Sequence, residues 1–387
     1  MPLAVFALSL AAFCIGTTEF IISGILFGVS ADLGVTVPVA GLLVTGYAAG
    51  VAVGGPILAL LTARVPVKPA ILGVIALFAA GQVLCALAPT YELLLAARLI
   101  SACGHGLFFG VGTVAVSQLV PEARRGAALS LMVGGITVAN ILGLPAGTAI
   151  GNAYGWRAAF VVIAVMAVLA FAAVALALPA RTRNEEEADA PLRLQARQLL
   201  RQEVWLSFLT TIIIMIGQLA FSTFQVAILT EVTKVDPAVM VPLYLLIGGA
   251  GAVVGIWLGG RAADRNGNAA IIGVISGQIV CFVVLLLGAA NPVVMAVTLF
   301  FSSAFGFGFS TPVQLRVLHG ARAAPRLAVT LLSAAYNIGI ATGAAAGAAL
   351  LTAGVSYALL PATGIVSSSI ALVTALVSIT LSRRGIA

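Results

Sequence analysis

Charged side chains are scarce in this sequence of 387 residues, and their scarcity excludes a water-soluble fold. Asp, Glu, Lys and Arg make up 8% of the chain, whereas hydrophobic residues make up 61%. A soluble domain carries about 25% charged residues, and a soluble chain of this size needs a far more polar surface. Disorder is excluded as well, because disordered chains combine low hydrophobicity with high charge. The composition therefore indicates an integral membrane protein.

Cysteine and histidine are also sparse, with four and two residues. The cysteines lie in apolar runs without CxxC or metal-ligand spacing, so we expect small buried side chains and no metal site. The sequence contains no P-loop, no HExxH motif and no dinucleotide-binding motif after a strand. We therefore expect no cofactor, no direct use of ATP and no enzymatic activity.

Long apolar runs are abundant, and they favour helices over a barrel. Residues 160–178 are continuously apolar and residues 271–290 nearly so, whereas barrel strands alternate apolar and polar residues. A helix needs roughly 20 apolar residues to cross the bilayer. We predict an all-α membrane protein with twelve transmembrane helices, at about 3–28, 37–61, 69–88, 91–117, 127–151, 157–178, 205–230, 240–260, 269–290, 292–315, 327–353 and 356–381.

One long polar stretch interrupts these segments near the middle of the chain. Residues 181–203 mix four acidic side chains at 185–189 with several arginines. We interpret this stretch as a cytoplasmic linker, and a solvated connector is favoured over a regulatory element. It separates an N-terminal six-helix half, residues 1–180, from a C-terminal half, residues 204–387.

The basic residues indicate the orientation of the chain. If both termini are cytoplasmic, 16 of the 19 Lys and Arg residues fall in cytoplasmic segments. This bias is the one that the positive-inside rule predicts. The net charge of +7 is then explained by topology, and we expect no nucleic-acid partner.

The two halves resemble one another in sequence. Internal repeats in a membrane protein indicate a transporter, with a substrate site between the repeats near the midplane. The matches, at offsets of 197 to 201 residues, are Tyr47 to Arg64 with Tyr244 to Arg261, Asn140 with Asn337, and Gly16-Thr-Thr-Glu-Phe20 with Gly217-Gln-Leu-Ala-Phe221.

Several motifs together resemble one family. They are Gly16 to Phe20, Ala40 to Tyr47, Leu60 to Arg64, Arg98 with Gly104 to Gly110, Gly135 to Asn140 with Gly143, Pro145 and Gly147, and Gly155-Trp-Arg157. The chain resembles a major facilitator superfamily transporter of the drug:proton antiporter group, within the sugar-efflux, arabinose-efflux and chloramphenicol-exporter branch. The resemblance implies the major facilitator fold, with two pseudo-symmetric six-helix halves, and export coupled to protons.

One motif departs from the family pattern. The loop after the second span usually carries Gly-x-x-x-Asp-Arg-x-Gly, but here the Asp is missing before Arg64. The full pattern occurs in the second half, from Gly260 to Gly267, with Asp264 and Arg265. The resemblance implies gating roles for Arg64, Asp264 and Arg265, with more of that role in the second loop. Gly143, Pro145 and Gly147 are expected to allow close packing and a kink in span five.

Glu19, Arg98 and His105 are the candidate proton-coupling residues. Glu19 is the one acid deep within a predicted span, where a charge costs about 2.5–3.5 kcal/mol on insertion scales. A proton carrier is favoured for it over a structural hydrogen bond. For Arg98, proton coupling and a helix-locking role remain equal alternatives. His105 titrates near neutrality in its unperturbed state, but a packed structural role is favoured for it.

Polar and aromatic side chains of the spans are the candidate substrate contacts. Mixed amide and aromatic lining suits a small, neutral or weakly polar solute. For each aromatic taken singly, helix packing or lipid contact is the favoured alternative. The candidates are Thr17, Glu19, Phe20, Tyr47, Phe108, Phe109, Asn140, Gln218, Phe221, Gln225, Tyr336 and Asn337.

These observations favour a multi-pass secondary transporter of a bacterial inner membrane. We expect a monomeric protein in the lipid bilayer whose partners are protons and a small-molecule substrate of the chloramphenicol-like drug class. A dedicated exporter of a sugar or a purine nucleoside is the alternative, and import by symport is less favoured. A membrane receptor or structural protein that moves nothing is disfavoured by the repeated halves and the lone glutamate.

Overall fold

The computed structural model describes residues 1–62, 65–179, 199, 201–321 and 325–383. Within these ranges every regular element is a helix. The chain divides into two compact units, Met1–Glu185 and Glu186–Ala387. Arg64 and nearly all of the expected linker lie outside the described residues.

Seven helices and one π-helical turn form the N-terminal unit. The irregular turn, Ala139–Gly143, immediately precedes the helix that carries Pro145. Because proline has no N–H to donate, it breaks the regular ladder of a helix, and the fifth span is irregular next to it. The helices are α1 Leu3–Leu33, α2 Val37–Leu61, α3 Val67–Leu87, α4 Tyr91–Leu119, α5 Glu122–Val138, α6 Leu144–Tyr154 and α7 Trp156–Ala177.

The C-terminal unit contains seven further helices in its described part. A short 3₁₀ turn, Tyr357–Leu359, precedes the last of them. The helices are α8 Gln202–Ser222, α9 Gln225–Glu231, α10 Met240–Gly288, α11 Pro292–Gly308, α12 Ser310–Gly320, α13 Pro325–Thr352 and α14 Leu360–Arg383.

Helix α10 runs where the sequence predicts two separate spans. It has 49 residues and departs from helical geometry at Asn266, with φ −161° and ψ 94°. The Asn266 side chain accepts a hydrogen bond from the Ala269 N–H at 3.0 Å, as a helix N-cap does. With α10 counted as one run across this break, the described residues hold eleven helical segments that are long and apolar enough to cross a membrane. The break lies between the two predicted spans, 240–260 and 269–290.

Glycines bring the first and fifth spans of each unit close together. In the N-terminal unit they face α1 side chains, and in the C-terminal unit they face backbone atoms or a side chain of α8. Small residues spaced by four let helix backbones approach one another. Each glycine has its counterpart 196 residues later, and the pairs are Gly143 with Gly339, Gly147 with Gly343, and Gly151 with Gly347.

The outer faces of the helices are apolar. On α7, the exposed fractions of Val165, Leu169 and Leu176 are 55%, 59% and 89%. A water-soluble protein rarely presents a continuous apolar face of this kind, whereas lipid is as apolar as these side chains. The exposed side chains of α7 thus match a hydrocarbon environment.

Replacing Gly251 of α10 by alanine is expected to destabilise the protein. A Cβ at Gly251 would meet the backbone of Phe300, lying 2.8 Å from its carbonyl carbon, whereas nothing lies within 4 Å of a Cβ at Gly260. Overpacking of this kind costs about 1–3 kcal/mol. Thermal unfolding in detergent, followed by circular dichroism, should show a lower midpoint for Gly251→Ala.

The matched control is Gly260→Ala on the same helix. Alanine exceeds glycine in helix propensity by about 1 kcal/mol, so this variant should unfold at or above the temperature of the unmodified protein. Equal midpoints for the two variants would contradict the close approach of α10 and α11 at Gly251.

Candidate functional site

A buried arginine joins three helices of the N-terminal unit. Arg98 of α4 is 1% exposed, and its Nη1 donates to the Thr18 carbonyl oxygen of α1 at 3.1 Å. Its Nε donates to the Leu43 carbonyl oxygen of α2 at 3.3 Å, and its guanidinium lies 4.3 Å from the centre of the Tyr47 ring. The Nη2 atom is buried and has no hydrogen-bond partner. Two backbone carbonyls and an aromatic face therefore replace the water that this charge has lost.

The Tyr47 ring links Arg98 to His105, which lies about two turns further along α4. Its hydroxyl lies 3.2 Å from Nδ1 of His105, which is 6% exposed. The His105 ring contacts Phe109 with centroids 5.5 Å apart, and Phe109 contacts Phe108 at 5.2 Å. Four of the predicted site residues therefore form one chain of contacts, in the order Tyr47, His105, Phe109 and Phe108.

Glu19 lies beside this arrangement on α1 and is half-buried. The charge of Arg98 acts on its carboxyl group, but the two side chains form no ion pair within 4.0 Å. In the described part of the chain no hydrogen bond to the Glu19 carboxyl is found. A carboxyl group without fixed partners, next to a buried cation with a spare N–H, is chemically suited to gain and lose a proton.

Three polar residues that the sequence did not single out lie next to Glu19 and Arg98. The Thr18 hydroxyl donates to Oε1 of Gln82 at 2.7 Å, and Nε2 of Gln82 donates to the Ser101 hydroxyl at 2.8 Å. All three side chains are at most 1% exposed. They connect α1, α3 and α4, the first, third and fourth helices of the unit.

The C-terminal unit contains an equivalent set. Nε2 of Gln278 on α10 donates to Oε1 of Gln218 on α8 at 2.5 Å and to the Ser302 hydroxyl on α11 at 3.1 Å. Gln278 is 1% exposed, and its own Oε1 is buried without a partner. The three residues follow Gln82, Thr18 and Ser101 by 196, 200 and 201 residues. The second set carries no charged side chain.

Helix α13 places two other candidate residues. Nδ2 of Asn337 donates to the Ser333 carbonyl oxygen at 3.0 Å, while its Oδ1 is buried without a partner. The neighbouring Tyr336 hydroxyl is also buried and unpartnered. The repeat counterpart of Asn337 is Asn140, which is half-buried in the π-helical turn of the N-terminal unit.

The remaining candidate residues are more scattered. Phe221 is 1% exposed and packs edge-on against Phe282, and Gln225 begins α9 after the break between α8 and α9. The Thr17 hydroxyl donates to the Phe13 carbonyl oxygen at 2.8 Å, and Phe20 is half-buried. Asp264 and Arg265 are exposed on α10. Thr17 and Phe20 belong to the same unit as Arg98, whereas the other four candidate residues belong to the C-terminal unit.

A family model described as the Major Facilitator Superfamily matches residues 8–326. The chain belongs to the major facilitator superfamily. It is therefore a member of a family of membrane transporters, and the packed helices described above form the scaffold of such a transporter.

Curated relatives match nearly the whole chain. The inner membrane transport protein YdhP of Escherichia coli K12 is 33% identical over 376 residues, covering 96% of this chain and 95% of the relative. The putative transporter AraJ of the same organism is 32% identical, covering 92% and 90%. A chloramphenicol resistance protein of Streptomyces lividans is 32% identical, covering 89% and 88%.

Solved structures share the fold at low sequence identity. A bacterial homologue of the human lysosomal transporter Spinster, inward-facing and unoccupied, gives a TM-score of 0.73 at 16% identity, covering 98% of this chain and 94% of that one. A peptide transporter POT in complex with sulfate gives 0.77 at 16% identity, covering 99% and 95%. At this identity the likeness concerns the fold alone.

Sequence reasoning singled out Gln218 but missed Gln82 and Gln278, although a signal for them was present. Gln82 and Gln278 are single amides inside otherwise apolar runs, and they share the 196-residue offset of the glycine pairs. An amide inside a span must find partners in other helices or in a cavity. In this transporter each glutamine finds them in two neighbouring helices.

Replacing Tyr47 is expected to lower stability in two steps. Tyr47→Phe keeps the ring against Arg98 but leaves Nδ1 of His105 without its partner, a loss of about 0.5–1.5 kcal/mol. Tyr47→Leu also removes the ring, adding about 2 kcal/mol for a desolvated cation–π contact. Thermal unfolding midpoints in detergent should fall in the order unmodified protein, Tyr47→Phe, Tyr47→Leu.

The control for this series is Tyr154→Phe. The Tyr154 side chain is 81% exposed at the end of α6, so losing its hydroxyl should leave the midpoint unchanged. If Tyr47→Leu unfolded at the same temperature as Tyr47→Phe, the ring would contribute nothing to holding Arg98.

Proposed function

We propose that this protein is a proton-coupled antiporter that exports small neutral or weakly polar compounds, chloramphenicol-like drugs among them, across a bacterial inner membrane. Residues 1–180 and 204–387 are proposed as two six-helix halves joined by the linker 181–203, with both termini cytoplasmic. The twelfth span follows if α10 is two spans that meet at Asn266, its one non-helical residue. Alternating access by rocking of the halves is the proposed mode of transport.

The arrangement of Glu19 beside Arg98 carries this proposal. Glu19 is the one acid deep within a span, and the eleven others lie in loops or at span ends. Its carboxyl group interacts electrostatically with the charge of Arg98 but forms no ion pair with it, as described above. A carboxyl locked into a structural hydrogen bond would not be free to exchange protons, so the absence of such a bond in the described residues favours the carrier role.

The proposed cycle follows from the spare donor of Arg98. When Glu19 loses its proton, the carboxylate is attracted to the buried guanidinium, whose Nη2 has no other partner. When Glu19 gains a proton, that attraction is lost and a neutral carboxyl remains in the bilayer core. Charge in the membrane core is expensive, so the two states favour different wetting of the site. Substrate and proton then compete through the charge state of the Glu19 carboxyl group. His105 is proposed as a neighbouring group that takes part in this coupling.

The proposed substrate contacts are amides, hydroxyls and aromatic rings rather than charges. The Asn337 Oδ1 and the Tyr336 hydroxyl are buried without partners, and Gln218 is half-buried. Unpartnered amide and hydroxyl groups suit a ligand that offers neutral donors and acceptors. The name of one relative, a chloramphenicol resistance protein, supports this class of compound. Gating roles for Asp264 and Arg265 remain part of the proposal.

Efflux of a sugar or a purine nucleoside is the second candidate function. Hydroxyl-rich solutes also match amide acceptors, and two relatives at 32–33% identity are named only as transport proteins. The two candidates differ in the compound moved and share the proposed role of Glu19.

Everted membrane vesicles with an acidic interior test the function. Chloramphenicol, arabinose and adenosine are added in turn while a pH-sensitive dye reports the release of protons from the vesicles. Proton release by one compound identifies the substrate class. Glu19→Gln should abolish that release, because the amide cannot carry a proton.

The matched control is Glu92→Gln, which neutralises an exposed acid in the first turn of α4 and should release protons like the unmodified protein. In proteoliposomes, Glu19→Gln should still exchange labelled compound across the membrane without a gradient. Proton release by Glu19→Gln at the unmodified level would refute the carrier role. Release by no compound of the three, with flux of none, would refute both substrate classes.

A further inference from the structure

The two buried glutamines, Gln82 and Gln278, occupy equivalent positions in the two units but face different surroundings. Each forms one hydrogen bond with the first helix of its unit, which Gln82 accepts and Gln278 donates. Each also donates a hydrogen bond to a serine on the fourth helix. In the N-terminal unit the first-helix partner is Thr18, which adjoins Glu19. In the C-terminal unit it is Gln218, and no charged residue belongs to the set.

Thr18 connects Gln82 to Arg98 through its side-chain hydroxyl and its backbone carbonyl oxygen. Its hydroxyl is held by Gln82 at 2.7 Å, and its carbonyl oxygen accepts from Arg98 at 3.1 Å. The backbone at Thr18 and Glu19 is therefore fixed between α3 on one side and α4 on the other. Because Thr18 is fully buried, water cannot replace either bond.

We propose that Gln82 is a positioning residue that sets the distance between Glu19 and Arg98 through Thr18, and that Gln278 is its charge-free counterpart. Electrostatic interaction varies steeply with distance where the effective dielectric constant is low. A small shift of α1 against α4 is thus enough to change the proton affinity of Glu19. This inference rests on the proposed role of Glu19 as proton carrier.

The other titratable groups near Glu19 are known from the structure. Arg98 and His105 lie on α4, Tyr47 on α2 and Cys85 on α3, and Tyr47 and Cys85 interact with the Arg98 charge. In the described residues no charge from α5, α6 or α7 acts on Glu19. None of these groups bonds to Gln82, whose partners are Thr18 and Ser101, and Thr18 is the partner that adjoins Glu19.

The test is an infrared titration of the full-length protein in detergent, which needs no transported compound. The C=O band of the protonated Glu19 carboxyl is identified by its loss in Glu19→Gln, and its intensity is followed against pH. Gln82→Met keeps the side-chain length but removes both hydrogen bonds. We expect it to move the titration midpoint by about 1 pH unit, a tenfold change in proton affinity.

Two further variants separate positioning from general loosening of the helices. Thr18→Val removes the hydroxyl and should move the midpoint as Gln82→Met does, whereas Thr18→Ser keeps the hydroxyl and should restore it. The double variant of Gln82→Met and Thr18→Val should move it no further, since either change alone already removes the Thr18–Gln82 hydrogen bond. Gln278→Met is the equivalent change in the C-terminal unit. Its titration midpoint should equal that of the unmodified protein.

Each other outcome overturns the proposal. An unchanged midpoint in Gln82→Met, or equal shifts in Gln82→Met and Gln278→Met, would mean that Gln82 has no specific effect on Glu19. If Glu19→Gln removed no band, Glu19 would not titrate and would need no positioning residue. The vesicle assay and the infrared titration have separate readouts. Failure of the transport proposal can therefore be distinguished from failure of the positioning proposal.

Discussion

The burial of one guanidinium charge constrains the whole N-terminal unit. Arg98 has left water, so its donors must find acceptors, and the acceptors it finds are backbone carbonyls of α1 and α2. Backbone acceptors fix helices rather than side chains. The positions of Thr18, Leu43 and Tyr47 relative to α4 follow from this single requirement, and Glu19 is carried into the neighbourhood of the charge by its place beside Thr18.

The same scaffold occurs twice, with and without charge. Glycines at equivalent positions bring the first and fifth spans together in each unit, and a glutamine ties the first helix to the fourth. In the C-terminal unit the bonded side chains of the glutamine set are amides and a hydroxyl, and Oε1 of Gln278 is unpartnered. The proposed proton carrier thus lies in one repeat, and the neutral hydrogen-bonding groups proposed to contact the solute lie largely in the other.

Several of these polar groups are unpartnered inside an apolar bundle, as the proposed binding of a polar cargo requires. A transporter must bind and release its cargo, so it retains polar atoms that a purely structural membrane bundle would satisfy internally. The unpartnered atoms of Arg98, Gln278, Tyr336 and Asn337 lie in otherwise well-packed helices. Their desolvation lowers stability, and the close glycine packing of the helices offsets part of this cost.

The sequence by itself determined the helical membrane class, the repeat and the family, because apolar run length, offset matches and motifs are local properties. It also singled out Glu19 and Arg98, since an ionisable residue inside an apolar run is rare. Only the tertiary structure decided their surroundings: Arg98 bonds to the carbonyl of Thr18, whose hydroxyl bonds to Gln82, 64 residues away. It also decided that a single non-helical residue, Asn266, breaks α10 where polar residues predicted a loop. Hydrogen bonds between distant helices depend on packing geometry, which no local pattern of residues specifies.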